Sequence, residues 1–248
     1  MPLHAAFPAW LHGMAIASLS VAITCAVVIG ADETRRPQTM WIMNLVWPLT
    51  ALFGGVLWLA GYLRWGRAPT RKQRQAMRSA GRGMKMGDAP MAVAVAKGAS
   101  HCGAGCTLGD IIAEWLAFAW PGIAVALGWR WLFSEKIFAV WVLDYVVAFA
   151  LGVAFQYFTI APMRDLSVKD GILQALKADA ASITSWQVGM YGCMAAVQFL
   201  WFRPVYGHIA EVATPEFWFA MQIAMLCGFV TAYPVNWLLV KYGVKEKM

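Results

Sequence analysis

Between residues 100 and 114 the chain reads SHCGAGCTLGDIIAE. This stretch sets His101, Cys102, Cys106, Asp110 and Glu114 into an otherwise apolar run. From Cys102 onward the thiol and carboxyl residues recur at every fourth position. On a helix each such step advances about 6 Å and drifts about 40°, so the four side chains form one slowly winding stripe. Thiolate and thioether donors suit Cu(I), and thiolate with imidazole suits zinc as well. The His-Cys-x-x-x-Cys spacing differs from the Cys-x-x-Cys of zinc ribbons and thioredoxin-like sites. Three ligands from one segment are one short of a closed tetrahedral zinc site, so Asp110 or another helix would have to supply the fourth. Carboxylates inside an apolar helix are costly and face a bundle interior or a water-filled cavity, which marks them as functional. His101, Cys102 and Cys106 are therefore the expected metal ligands, with Asp110 and Glu114 as charge-balancing or proton-accepting groups.

Two methionine pairs could extend such a path. Met190 and Met194, and Met221 and Met225, are each four residues apart in later apolar segments. They read either as secondary thioether stations or as fillers of helix packing. Cys25, Cys193 and Cys227 lie within apolar runs and read as small hydrophobes. His4, His12 and His208 are isolated and read as surface or interfacial residues. Asn44 is expected to bond between helices. Asp144 is expected either to pair with Arg130 or to carry protons. Met84 and Met86, in a basic connection, read as bystanders. No phosphate-binding glycine loop, HExxH or serine triad pattern is present, and an enzyme is the less favoured class.

The elements that must hold these residues are membrane helices. Apolar residues make up 60% of the chain and charged residues 13%, against about 25% charged in soluble domains. Mean hydropathy is +0.57. Six apolar segments approach the roughly 20 residues that a crossing needs: 8–30, 40–63, 103–128, 137–160, 181–202 and 215–240. The first lacks a basic leader and a small-residue cleavage site, so it reads as a retained helix. Pro48 and Pro121 should kink the second and third, and Gly54-Gly55 should allow close helix contact. Residues 89–99 read as an interfacial or re-entrant lead-in to the motif. Residues 64–89 form a basic loop, and 165–180 reads as a short amphipathic surface helix. The expectation is one all-α domain over 1–248, a bundle of about six transmembrane helices with no soluble module.

With six crossings both ends share a face, and fifteen of the 20 Lys and Arg fall on that face. The positive-inside rule makes it cytoplasmic. The net charge of +7 then points to anionic lipid rather than nucleic acid, for which no base-reading module is present. The motif would sit at the cytoplasmic mouth of the third span, where thiols stay reduced.

The segments WIMNLVWPLTALFGG (41–55), SHCGAGCTLGD, FQYFTIAPMR and FWFAMQIAMLCGFVTAYPVNW (217–237) resemble a bacterial membrane-protein family, domain of unknown function 4396. The likeness runs from about residue 40 onward. It implies a multi-pass protein of the bacterial cytoplasmic membrane, with a connection to copper and no catalytic role for any residue. Three functions stay open. The first is handling of a transition metal, most simply copper, by binding, delivery or transport. The second is an accessory subunit of a larger membrane complex, or a homo-oligomer. The third is thiol-redox chemistry, for which Cys102 and Cys106 on one helix face are awkwardly placed.

Overall fold

The computed structural model describes residues 7–79, 90–164 and 167–245. Residues 80–89 of the basic loop, with Met84 and Met86, lie outside the described residues, as does His4. The described chain is helical, without a β-strand. Its elements are α1 (Ala9–Arg35), α2 (Met43–Gly61, continued by a π turn Tyr62–Gly66), α3 (Arg71–Ser79), α4 (Met91–Ala119), α5 (Pro121–Ala126), α6 (Lys136–Arg164), α7 (Val168–Ala195, continued by a π turn Ala196–Phe202), α8 (Arg203–Tyr206) and α9 (Pro215–Lys241). By length and composition, five stretches of the described residues are apolar enough to cross a membrane. The chain is a multi-pass membrane protein.

The second expected span does not cross. Gly55 takes φ +51° and ψ −130° within α2, and the chain doubles back there. Residues 47 and 66 would lie about 28 Å apart on a straight helix. Instead a Cβ on Gly66 would come within 2.4 Å of the Trp47 ring, and the Trp47 and Tyr62 ring centroids are 5.6 Å apart. Gln38, before the hairpin, donates to the Gly66 carbonyl at 2.9 Å, and Arg67, after it, pairs with Asp32 of α1 at 2.7 Å. Residues 43–66 are thus a re-entrant hairpin that enters and leaves by one face. Lipid-buried backbone of this kind needs partners within the protein. Gln222 of α9 supplies one by donating to the Leu52 carbonyl at 2.7 Å, and Ser18 of α1 holds the Gln222 amide oxygen at 2.7 Å. Pro48 sits inside the first leg; the break falls at Gly55. Asn44 bonds within its own turn, to Gln38 and Trp41, and not between helices.

This corrects the topology. His12 in the first turn of α1 bonds Glu216 in the first turn of α9 at 2.7 Å, so the two helices run side by side in the same direction. Phe7 and Lys245 therefore lie at opposite faces. The two described ends do not share one side; hydropathy measures apolar length and not direction. Arg35 and Arg36 join the basic face, and Arg130, Lys136 and Arg203 remain on the other. His12 is a helix clasp and not an isolated surface residue.

Two further boundaries differ. Residues 91–99 are the start of α4 itself, and α4 stops at Ala119 because Trp120 leaves helical geometry and Pro121 opens α5 at its first position. The expected surface helix at 165–180 is not separate; residues 168–180 are the first turns of α7. Ser167 caps them by accepting from the Asp170 amide and bonding its carboxylate at 2.6 Å. Gly171, Ala175, Ala178 and Ser182 continue the buried face that runs on through Trp186 and Met190. Of the five apolar stretches, α1, α4, α6 and α9 cross; the more polar α7 crosses with them, since Asp179 near its start bonds Cys102 toward the basic face and Gln198 in its continuation bonds Ala210, ahead of α9, at the other.

Helix α4 is the centre of the bundle, with 61% of its most apolar window buried against 28% for α1. Small residues permit this. A Cβ on Gly105 would lie 2.8 Å from the Gly152 Cα, and one on Gly109 would lie 2.6 Å from the Ala148 Cα. Backbone meets backbone along α4 and α6, the close approach that small residues four apart allow in membranes. Gly109→Leu should lower thermal stability in detergent by about 1–3 kcal/mol through overpacking. Gly192→Ala, where an added Cβ meets nothing within 4 Å, should leave it unchanged or slightly raised. Equal effects of the two would refute this packing. A cysteine at Gln38 and one at Arg67, each in a cysteine-free background, should react with an impermeant thiol reagent from the same side of sealed vesicles. Labelling from opposite sides would rule out the hairpin.

Candidate functional site

The motif of residues 100–114 lies wholly on α4, so its side chains fan out to three neighbours. His101 points to α6, where its Nε2 is 3.1 Å from the Thr159 hydroxyl. That hydroxyl donates to the Phe155 carbonyl, so His101 donates from Nε2 and its buried Nδ1 is a bare acceptor with no partner among the described residues. Cys102 points the other way, to α7 and α9. Its Sγ donates to Asp179 Oδ1 at 2.7 Å and lies 2.8 Å from the Ser182 hydroxyl. The next polar residue along, Cys106, is fully buried in the same apolar core. Among the described residues no three His, Cys, Asp or Glu side chains gather closely enough to hold a metal ion. His101 and Cys102 are adjacent in sequence but are turned to different helices.

Around Cys102 is a cluster that the sequence did not announce. Lys245 reaches it from beyond the end of α9. Gly243, at φ +70°, turns the chain back, with Val244 N–H bonding the Leu239 carbonyl and Gly243 N–H the Val240 carbonyl. This is the Schellman close of a helix. The Lys245 ammonium then donates to Asp179 Oδ1 (2.7 Å), Asn236 Oδ1 (2.9 Å), the Gly98 carbonyl (3.2 Å) and Cys102 Sγ (3.2 Å). Asn236 also donates to Ser182 at 2.6 Å. Burial pulls the Lys245 proton affinity down, but the Asp179 carboxylate and the Cys102 sulfur more than reverse this and leave it above the ordinary lysine value. Asp179 falls in the stretch that reads as a solvated surface helix. The available signal was its register: it shares the face of Ala175, Ala178 and Ser182.

The acids lie deeper. Cys102 and His101 are level with Asn236 and Thr159, about 8 Å inside the ends of α9 and α6 at the basic face. Asp110 and Glu114 follow along α4, about 12 and 18 Å further on. Gly105 meets Gly152 and Gly109 meets Ala148, so Asp144, one turn before Ala148 on α6, stands level with the turn of α4 between Asp110 and Glu114. Gln187 of α7 stands beside Asp110 without closing a hydrogen bond. Both carboxyl oxygens of Asp110, both of Asp144 and Oε1 of Glu114 are buried and have no partner among the described residues. Gln156, Gln187 and Asp179 Oδ2 add further unpartnered atoms. These buried groups follow one another along α4, α6 and α7 as a polar file inside the bundle. Asp144 makes no pair with Arg130, whose guanidinium lies over Trp129 at 4.6 Å.

Met190, Met194, Met221 and Met225 are all buried in the core shared by α7 and α9. Met225 Sδ accepts from the Trp186 indole at 3.4 Å. Cys193 and Cys227, which read as separate small hydrophobes, face each other across α7 and α9 with their sulfurs 2.8 Å apart. Cys102 and Cys106 remain free thiols.

A family model described as "Domain of unknown function (DUF4396)" matches residues 93–245, which contain the polar file, the motif and the Lys245 cluster. No curated protein and no solved structure matches the chain.

Breaking one partner of a buried ion pair costs about 3–5 kcal/mol, because the other charge is left uncompensated. Asp179→Asn should therefore destabilise the protein by about that amount in detergent, and Asp179→Asn with Lys245→Met should recover most of the loss. Additive losses in the double variant, read from thermal unfolding, would show that the pair is not formed.

Proposed function

We propose that this chain, which belongs to the DUF4396 family, moves a small cation across the membrane along the polar file between α4, α6 and α7. The observation that carries this reading is the set of buried carboxyl oxygens on Asp110, Asp144 and Glu114 that no group among the described residues satisfies. An isolated buried carboxylate costs several kcal/mol, so each acid must hold a proton or a cation, and exchange of one for the other is the chemistry such a site performs. The acids are spaced along the path and do not form a cage, which suits successive brief occupancy better than storage.

The soft donors bear on which cation. Cys102 and Cys106 stand toward the basic end of the file, His101 offers a free Nδ1, and the four core methionines offer thioethers. Cu(I) is the metal ion that this set favours, with zinc second. Under the positive-inside rule the basic face is cytoplasmic, which gives a protein of the bacterial cytoplasmic membrane with the thiols at the inner side. A groove of about 760 Å³ on the outside of α6, α7 and α9 favours a second reading, an accessory subunit that docks a helix of another membrane protein. Its lining places Thr184, Ser185 and Thr231 among apolar residues.

In proteoliposomes with an internal pH dye, an inward Cu(I) gradient should move protons in the opposite direction. Asp110→Asn with Asp144→Asn should slow this by about tenfold or more. Proton flux equal to wild type in that variant would refute the file as the path. Copper retained after purification without chelator should be lost in Cys102→Ser with Cys106→Ser; unchanged metal content would remove the thiols from the reading.

A further inference from the structure

The four atoms around the Lys245 ammonium are a carboxylate oxygen, an amide oxygen, a backbone carbonyl and a thiol, drawn from α7, α9 and α4. This is a cation-binding set. Asp179, Ser182, Asn236 and Cys102 are fully buried and fixed by bonds to one another, so the cage does not depend on the lysine alone for its shape. We propose that Gly98, Cys102, Asp179 and Asn236 form a binding site for a large monovalent cation of potassium or ammonium size, and that Lys245 is a tethered occupant of that site.

Size and charge select the ion. The cage atoms stand 2.7, 2.9, 3.2 and 3.2 Å from the ammonium nitrogen. Those spacings exceed the roughly 2.0–2.3 Å of zinc and magnesium ligands and the roughly 2.3–2.6 Å of calcium ligands. One carboxylate balances one positive charge. Three oxygens and one sulfur, at these lengths, match an ion that sheds its water easily. The cage stands at the basic end of the polar file, so the lysine also closes that end. That Lys245 acts as a gate rests on the transport reading; that the cage takes a monovalent cation does not.

The test uses the full-length protein in detergent, with thermal unfolding followed by tryptophan fluorescence in KCl against choline chloride at constant ionic strength. Lys245→Met keeps the apolar stem and removes the ammonium. Its unfolding midpoint should rise with potassium and saturate, with an apparent affinity at least about tenfold tighter than any response of wild type. Sodium and lithium should act more weakly. The response should vanish in Lys245→Met with Asp179→Asn. Lys245→Gln, which keeps a donor without charge, guards against a folding defect in the methionine variant. A flat potassium response in both single variants would overturn the proposal, as would an equal response in the double variant or failure of both single variants to fold in KCl. Because binding is read without flux, a negative result here leaves the proteoliposome assay untouched.

Discussion

The approach of the α4 backbone to that of α6 fixes the rest of the molecule. Gly105 and Gly109 let α4 lie against Gly152 and Ala148 with no side chain between them. That contact sets the rotation of α4, and the rotation decides which way every polar residue of the motif points. Asp110 and Glu114 face Asp144 because the glycines on the same helix face α6. His101 reaches Thr159, and Cys102, one residue on, is carried round toward α7 and α9. A Leu-lined helix at the same place would stand farther off, and the level at which α4 and α6 present their acids would change.

The basic-end cluster depends on a different local device. Helix α9 could have run straight on after Lys241, carrying its charges into the headgroup region. The left-handed Gly243 folds the tail back instead, and two backbone bonds lock the turn. A surface lysine becomes a buried one, and its charge is answered by an aspartate from a helix whose neighbouring charges are solvated. Lys169, Asp170 and Lys177 remain exposed on α7 while Asp179 is enclosed, so one helix turn separates a surface charge from a core charge.

Much of this was legible in the sequence. The all-α membrane architecture follows from apolar length and charge scarcity. The motif on α4 stood out because acids in lipid are expensive. What stayed hidden is directional. The leg of residues 43–54 is apolar and the leg of 56–66 is apolar, so their sum reads as one crossing; a single backbone angle at Gly55 makes it two half-crossings. Residues 165–180 look amphipathic because acids and bases alternate around Ile172, Leu173 and Leu176, yet the small residues Gly171, Ala175 and Ala178 keep the period of the helix that follows. The Gly105-xxx-Gly109 spacing was present to be read and would have turned α4 toward α6. Only Asn236, nine residues back, is a local partner of Lys245; the other three come from 66, 143 and 147 residues away, so the sequence around it does not mark it as buried.

The re-entrant hairpin also constrains the order in which the molecule can be built. Its break frees the Leu52 carbonyl in the depth of the bundle, and the group that satisfies it belongs to Gln222, 170 residues later. When residues 43–66 leave the ribosome, α9 does not yet exist. The hairpin is then a pair of short apolar legs with an unmet acceptor at its tip. It must wait at the membrane surface or sit loosely against α1 while α4, α6 and α7 are inserted. Only α9 closes it, and the same helix carries the partner of His12 and leads into the turn that delivers Lys245. A chain that stops short of α9 therefore loses the hairpin tip, the α1 clasp and the basic-end cluster together.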